Sequence, residues 1–551
     1  MIRNLASLAG HQAIALAASL TFACLASAQY VETTRGCISC HESPMAKSDF
    51  CDATPASVWR QDDKHARAFT LLHESDSPNP ATRAQKQQLV RQILGFDLRE
   101  AFADDRYSRL IDATDDATRQ RVATVKACLR CHGTWPKEAD AQFVSTPPVP
   151  LELGVSCQAC HGPGERWLAV HFSDSWRRVT PEAKANLGCA DCRSPIAKAK
   201  LCASCHVGNI AEDKFVKHEW YAAGHPPLPS FELASFQAQM PTHWKSLREK
   251  GPFKYRDAPT TGVEPLPIDQ RLTLERAGVP PEAIKDSYVT ADFPAAIAKG
   301  LNPVGDLAGF RDALVGGATV QAIYDKIVGD YAAAVTEGKA PWPELALYDC
   351  AACHHELRSG LASRTRPKRH HAPGRPPLAT WPEALSKLAL RHAENYEAPR
   401  IEMRSLNLQA LFANLDRAAT GRPFGDPVVL SPAANEFAQA ANQLALDATA
   451  TRFDERAADN ALKFLTDPRN YEATDFSTAR QVAWALTAIA NDTTPGRGRL
   501  LFLQNTEDPL ALVLPSGPSH SVMQNLQRWL PAASQYDPVW FQEELKAIHN
   551  Q

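Results

Sequence analysis

Apolar positions follow two regimes along the chain. From about residue 380 they recur every three or four residues, in WPEALSKLALRHAENYEAPRIEM, PAANEFAQAANQLALDATATRF, ADNALKFLTD, TARQVAWALTAIAND and NLQRWLPAAS. That spacing lines one face of a helix and predicts an α-helical domain over 379–551. Upstream the pattern is less regular. Trp59, Ala66, Phe69 and Leu72 suggest one helix with His65 beside its apolar face. GATVQAIYDKIVGDYAAAV reads as a short helical piece, set after the proline-rich stretch GPFKYRDAPTTGVEPLPIDQRLTLERAGVPPE. With 41 prolines the chain calls for long irregular connections, so the expected fold is mainly α with much irregular structure.

One early run, AIALAASLTFACLA, is apolar without periodicity. Arg3 precedes it and Ala26-Ser27-Ala28 follows, which reads as a secretory signal over residues 1–28 and implies export to the periplasm or an equivalent compartment. The run is shorter than the roughly 20 residues a membrane-spanning helix needs, and no later segment is apolar enough to span. At 551 residues the chain predicts two or three domains. A net charge of -3 gives nucleic acid no electrostatic footing.

Cysteine spacing changes the picture most. Ten of the fourteen cysteines form five copies of C-x-x-C-H. They are Cys37–Cys40 with His41, Cys128–Cys131 with His132, Cys157–Cys160 with His161, Cys202–Cys205 with His206, and Cys350–Cys353 with His354. This is the attachment pattern of c-type haem. Two thiols a helical turn apart reach the two vinyl groups on one porphyrin edge, and the next residue aims its imidazole at the iron. Zinc would call for paired C-x-x-C units without a fixed histidine. The expectation is five covalent haems.

A further C-x-x-C pair, Cys189 and Cys192, is followed by Arg193. A guanidinium stays protonated and cannot ligate iron, so no haem is expected there. In an oxidising compartment a Cys189–Cys192 disulfide is the plainer reading, with Cys51 as an alternative partner for either.

Each motif leaves one axial position to be filled. Met45 and Met240 are the methionines of the cysteine-bearing region, so methionine ligation is rare and histidine ligation, which gives low potentials, is expected. The candidates chosen are His65, His171, His225, His243 and His355. His225 is set between Gly224 and Pro226, and His218 seven residues earlier is its alternative. His370 and His371 fall in a basic, proline-rich linker at 358–378. His392, His520 and His549 are isolated and read as surface residues.

GVSCQACHGPGERWLAVH, CASCHVGN, AAGHPPLPSFEL, MPTHW and CAACHHEL resemble the multihaem cytochromes of the cytochrome c-554 family, over about residues 36–360. The resemblance implies a mostly helical fold and haems packed in close pairs. The type member is a tetrahaem electron acceptor, whereas this chain carries a fifth motif far downstream and a long insertion. The implied layout is a multihaem module over 29–357, with a haem-free insertion at about 246–345, followed by the linker and the helical domain. The implied function is electron transfer between redox protein partners, a donor and an acceptor. A multihaem oxidoreductase acting on nitrite or hydroxylamine at an open iron is the alternative, although no C-x-x-C-K variant marks a substrate haem. A third reading, suggested by the cysteine-free C-terminal part, is a docking subunit of a larger respiratory complex.

The count is directly testable. After extraction in acid acetone the polypeptide should still weigh five haems more than the processed chain, and replacing Cys189 and Cys192 by serine should leave that number unchanged. A mass equal to four or six haems would refute the assignment of the motifs.

Overall fold

The computed structural model describes residues 36–42, 55–73, 80–141, 145–228, 230–244, 265–285, 307–354, 374–396, 401–451, 453–467, 469–470, 475–493 and 538–549. The signal segment, most of the linker, His355 and Cys51 lie outside them. Helices dominate, and β pairing among the described residues amounts to four isolated bridges. The fold is mainly α. No described helix is long and apolar enough to cross a membrane.

The chain divides into two compact units. The first comprises residues up to Pro78, Val90–Asp191 and Pro241–Ala291. Its core has two clusters. One gathers Phe69, Leu98, Leu110, Val125, Leu129 and Trp135. The other gathers Trp167, Val179, Leu187, Leu274 and Ile284. The expected single helix around His65 is instead three pieces: Pro55–Asp62, a tight turn at Lys64–Arg67 and Thr70–His73. Asp63 causes the break, because its side chain accepts from the backbone N–H of His65 at 3.0 Å and starts a new turn. Trp59, Ala66 and Phe69 are still buried.

The second unit comprises Asn79–Leu89, Cys192–Met240 and Asp292–Gln551. It is organised around a single helix, Ala308–Thr336, of 29 residues. The sequence reading expected only short helical pieces here. The helix is buried almost all round, so it shows no amphipathic period, and the internal glycines Gly316, Gly317 and Gly329 lower its apparent propensity. Those glycines allow close approach: a Cβ on Gly317 would lie 2.3 Å from Leu385 Cβ, and one on Gly329 2.6 Å from Asn435 Nδ2. Around the long helix pack Glu383–Asn395, Pro427–Thr449, Phe476–Asp492, Leu233–Ala238 and Pro195–His206. The C-terminal helices predicted from periodicity are present, apart from NLQRWLPAAS, which lies outside the described residues.

Two expectations are corrected. His392 is not at the surface. It is 3% exposed, bonds Thr451 Oγ1 through Nε2 at 2.8 Å and stacks on Phe453. A histidine on the inner face of Glu383–Asn395 is carried inward with Leu385, Leu388 and Ala389. No disulfide joins two of the described cysteines, Cys189 and Cys192 included. Cys189 instead packs onto the Trp167 and Leu274 cluster.

Gly317→Ala should destabilise the protein by about 1–3 kcal/mol, because the added methyl overpacks the contact with Leu385. Urea unfolding followed by circular dichroism checks this, and a cost near zero would show that the two helices have room to separate.

Candidate functional site

The motif segments are short helical turns, as the attachment chemistry requires. Residues 36–41 are helical and carry the first motif. The second closes the helix Asp116–His132, whose start is capped by Asp115 accepting from Thr118 N at 2.8 Å. The third is a five-residue helix, Cys157–His161. It ends at Gly162 with φ of +81°, where a Cβ would lie 1.9 Å from the Gly188 carbonyl oxygen, so only glycine fits. The fourth ends the helix Pro195–His206, capped by Ser194. The fifth is a tight turn at Cys350–Ala352, with His354 N bonded to Cys350 O at 2.7 Å.

Burial sets the protonation of these groups. It pushes the Cys128 thiol up to about 12 and those of Cys37, Cys202 and Cys350 to about 11. Burial thus disfavours the thiolate form at these four positions. Among the described residues no three His, Cys, Asp or Glu side chains converge as a metal cluster. The imidazoles respond in the opposite sense. Burial brings His161 down to about 4, helped by the nearby His243, His41 and His171. Burial also lowers His41, His132 and His171. A buried neutral imidazole is the form that ligates a metal.

The rings are further organised in facing pairs. His41 and His171 have ring centres 6.3 Å apart, His161 and His243 6.4 Å, and His354 and His218 6.3 Å. An imidazole nitrogen holds a first-row metal at about 2.0–2.1 Å and the ring centre lies roughly 1.1 Å behind it, so two rings on opposite sides of one metal would have centres about 6.3 Å apart. Each pair joins a motif histidine to one from outside the motifs. The first two pairs stand in the first unit and are neighbours: His41 is depressed after burial by His171 and then His243, and the Cys37 thiol is raised after burial by Cys157.

One ring nitrogen of four histidines outside the motifs is tied down. His171 Nδ1 donates to Leu168 O at 2.7 Å, His243 Nδ1 to Pro241 O at 3.3 Å and His225 Nδ1 to Pro226 O at 2.8 Å. His65 Nδ1 bonds the buried carboxylate of Asp63 at 2.9 Å. The motif histidine His132 donates Nδ1 to Ala68 O at 3.0 Å. Because a carbonyl oxygen can only accept, Nδ1 carries the hydrogen and Nε2 keeps the lone pair that a metal needs. This donor set fits haem iron.

Backbone contacts fix where these rings stand. The Lys64–Arg67 turn links two motifs. His132 bonds the Ala68 carbonyl, and Val155 N, two residues before Cys157, bonds His65 O at 2.9 Å. Gly154 allows this, since a Cβ there would lie 2.5 Å from His65 O. His218 starts the helix His218–Ala223, and its N–H donates to Glu344 Oε1 at 2.8 Å. The same oxygen accepts from Ala346 N at 3.0 Å, just before the fifth motif. Glu344 thus sets His218 and His354 in one frame. It is a residue that sequence reasoning missed, and its distance of 126 residues from His218 leaves no local signal. Of the five outside histidines expected from sequence, the structure places His171 and His243 opposite motif histidines. It presents His65 and His225 with Nδ1 bonded, and His355 lies outside the described residues. His218 faces His354.

A family model described as cytochrome c554 and c-prime matches residues 100–162, a stretch that holds the second and third motifs. The chain resembles that family there, a narrower span than the motif-by-motif likeness over residues 36–360. The likeness carries c-type haem and electron transfer with it. No curated protein and no solved structure matches the chain.

His218→Ala should convert the haem at His354 from low to high spin in electron paramagnetic resonance, while His355→Ala leaves it low-spin. The reverse result would make His355 the ligand and His218 a neighbour.

Proposed function

We propose that the chain is an exported pentahaem c-type cytochrome that passes electrons between a donor and an acceptor protein. The observation that carries this reading is the set of facing imidazole pairs at 6.3–6.4 Å. Haem, once attached, supplies a reversible one-electron change at iron. The protein's part is to fill both axial positions, exclude water and hold neighbouring sites close. Cys37, Cys40, Cys128, Cys131, Cys157, Cys160, Cys202, Cys205, Cys350 and Cys353 are the attachment thiols. His41, His132, His161, His206 and His354 are the motif ligands, and His171, His243 and His218 face three of them. His65 and His225, with Nδ1 committed, are offered to the remaining two.

Two histidines on one haem iron would leave no position there for a substrate, and electron transfer calls for no acid or base. The clustering of His41, His171, His161 and His243 in one unit favours rapid exchange between two adjacent sites. Histidine pairs also hold the potentials low.

Carbon monoxide added to the reduced protein tests the reading, since it enters only a vacant or weakly held axial site. Binding at one haem at most is expected, with no steady turnover of nitrite or hydroxylamine. Turnover at about 1–10³ per second, the range of ordinary enzymes, would make the chain an oxidoreductase instead.

A further inference from the structure

Arg480 stands on the helix Phe476–Asp492, in the cysteine-free part of the chain. It is 2% exposed. Its Nε donates to Ser230 Oγ at 3.0 Å, and its guanidinium lies 5.0 Å from the Trp484 ring centre and 5.4 Å from that of Phe476. Among the described residues it makes no ion pair, and the four N–H groups on its terminal nitrogens bond no described residue. Burial drives its pKa down to about 9, opposed only by Asp475. The Asp475 carboxylate is turned to the helix start, where it accepts from Thr478 N at 2.8 Å and Thr478 Oγ1 at 2.5 Å. Glu232, also buried, is committed to Ala234 N at 3.0 Å and Ser235 N at 2.7 Å. A largely buried cation whose terminal N–H groups bond no described residue is stabilised by an anion set beside it.

The surroundings point to which anion. Phe231, next to Ser230, stacks on the His206 ring with centres 6.2 Å apart. Phe236 meets the His206 ring at 5.0 Å on one side and Trp484 at 5.9 Å on the other. Gln481 Nε2 bonds Phe231 O at 3.0 Å. The Arg480 helix therefore forms the back of the aromatic wall that holds His206. Haem brings two propionate carboxylates to its site, and a guanidinium binds a carboxylate through two parallel N–H donors.

Resting on the haem reading above, we propose that Arg480 is the counter-charge of a propionate of the haem attached at Cys202 and Cys205. The C-terminal helices are then part of that haem's pocket rather than an appended domain.

The test uses the full holoprotein. The mass of the proteolytic peptide that contains Cys202 and Cys205 first establishes that they carry haem; a missing haem there overturns both this proposal and the pentahaem reading. In a spectroscopic redox titration, Arg480→Gln should lower the midpoint potential of one haem, because loss of a positive charge favours ferric iron. The shift should vanish in a Cys202→Ser, Cys205→Ser background that lacks that haem. A shift that persists there and vanishes with Cys350→Ser, Cys353→Ser places the carboxylate on the other haem and overturns the assignment. Unchanged potentials leave Arg480 a packing residue and also overturn it. Should Arg480→Gln fail to accumulate, Arg480→Lys keeps the charge but loses the fork. The propionate-bending band of one haem should then move in resonance Raman, and a spectrum identical to the parent's refutes the contact.

Discussion

An imidazole can give a metal only the ring nitrogen that its surroundings leave without a hydrogen. Fixing that choice requires an acceptor at Nδ1, and five described histidines of the motif-bearing part have one: Asp63 for His65, and the carbonyls of Ala68, Leu168, Pro226 and Pro241 for His132, His171, His225 and His243. Two of those carbonyls belong to prolines, whose fixed φ stiffens the loop that presents the ring. Much of what looks irregular in the fold is the backbone holding these acceptors in place. A regular helix spends its carbonyls on its own ladder, so a chain that must aim many imidazoles is driven toward short helices, caps and turns.

The two units meet this demand differently. In the first, two modest clusters around Phe69 and Trp167 support segments tied together by single bonds, such as Val155 to His65 and Ser156 N to Thr134 Oγ1 at 2.7 Å. In the second, a buried 29-residue helix supplies a large apolar core, and the motif helix Pro195–His206 packs onto it. Some of the polar groups beside that core are paired. Lys198, one turn before Cys202, bonds Asp312 of the long helix at 2.6 Å, and Gln237 bridges both, at 3.0 Å to Lys198 and 2.8 Å to Asp312. The long helix thus sets charge as well as packing beside the fourth motif. Glu344 plays the corresponding part at the fifth, joining the start of one helix to the turn before the motif.

The sequence by itself carried the haem-attachment pattern. C-x-x-C-H is a local pattern, five residues long, and its spacing encodes the reach of two thiols and one imidazole without help from the fold. The C-terminal helices were equally legible, because Glu383–Asn395 and Glu455–Thr466 each carry an apolar face that repeats at helical spacing. What only tertiary structure decided is who faces whom. His218 meets His354 across 136 residues through Glu344, and nothing in HEWYAAGH distinguishes His218 from His225 as a partner. The long helix escaped because burial on all sides erases periodicity, and the break at Asp63 because capture of one backbone N–H outweighs an apolar stripe. Nothing in TARQVAWAL marks Arg480 for burial, and packing sets it against Trp484. Local geometry is written in local residues, whereas a ligand supplied from a distant segment depends on contacts that no spacing along the chain records.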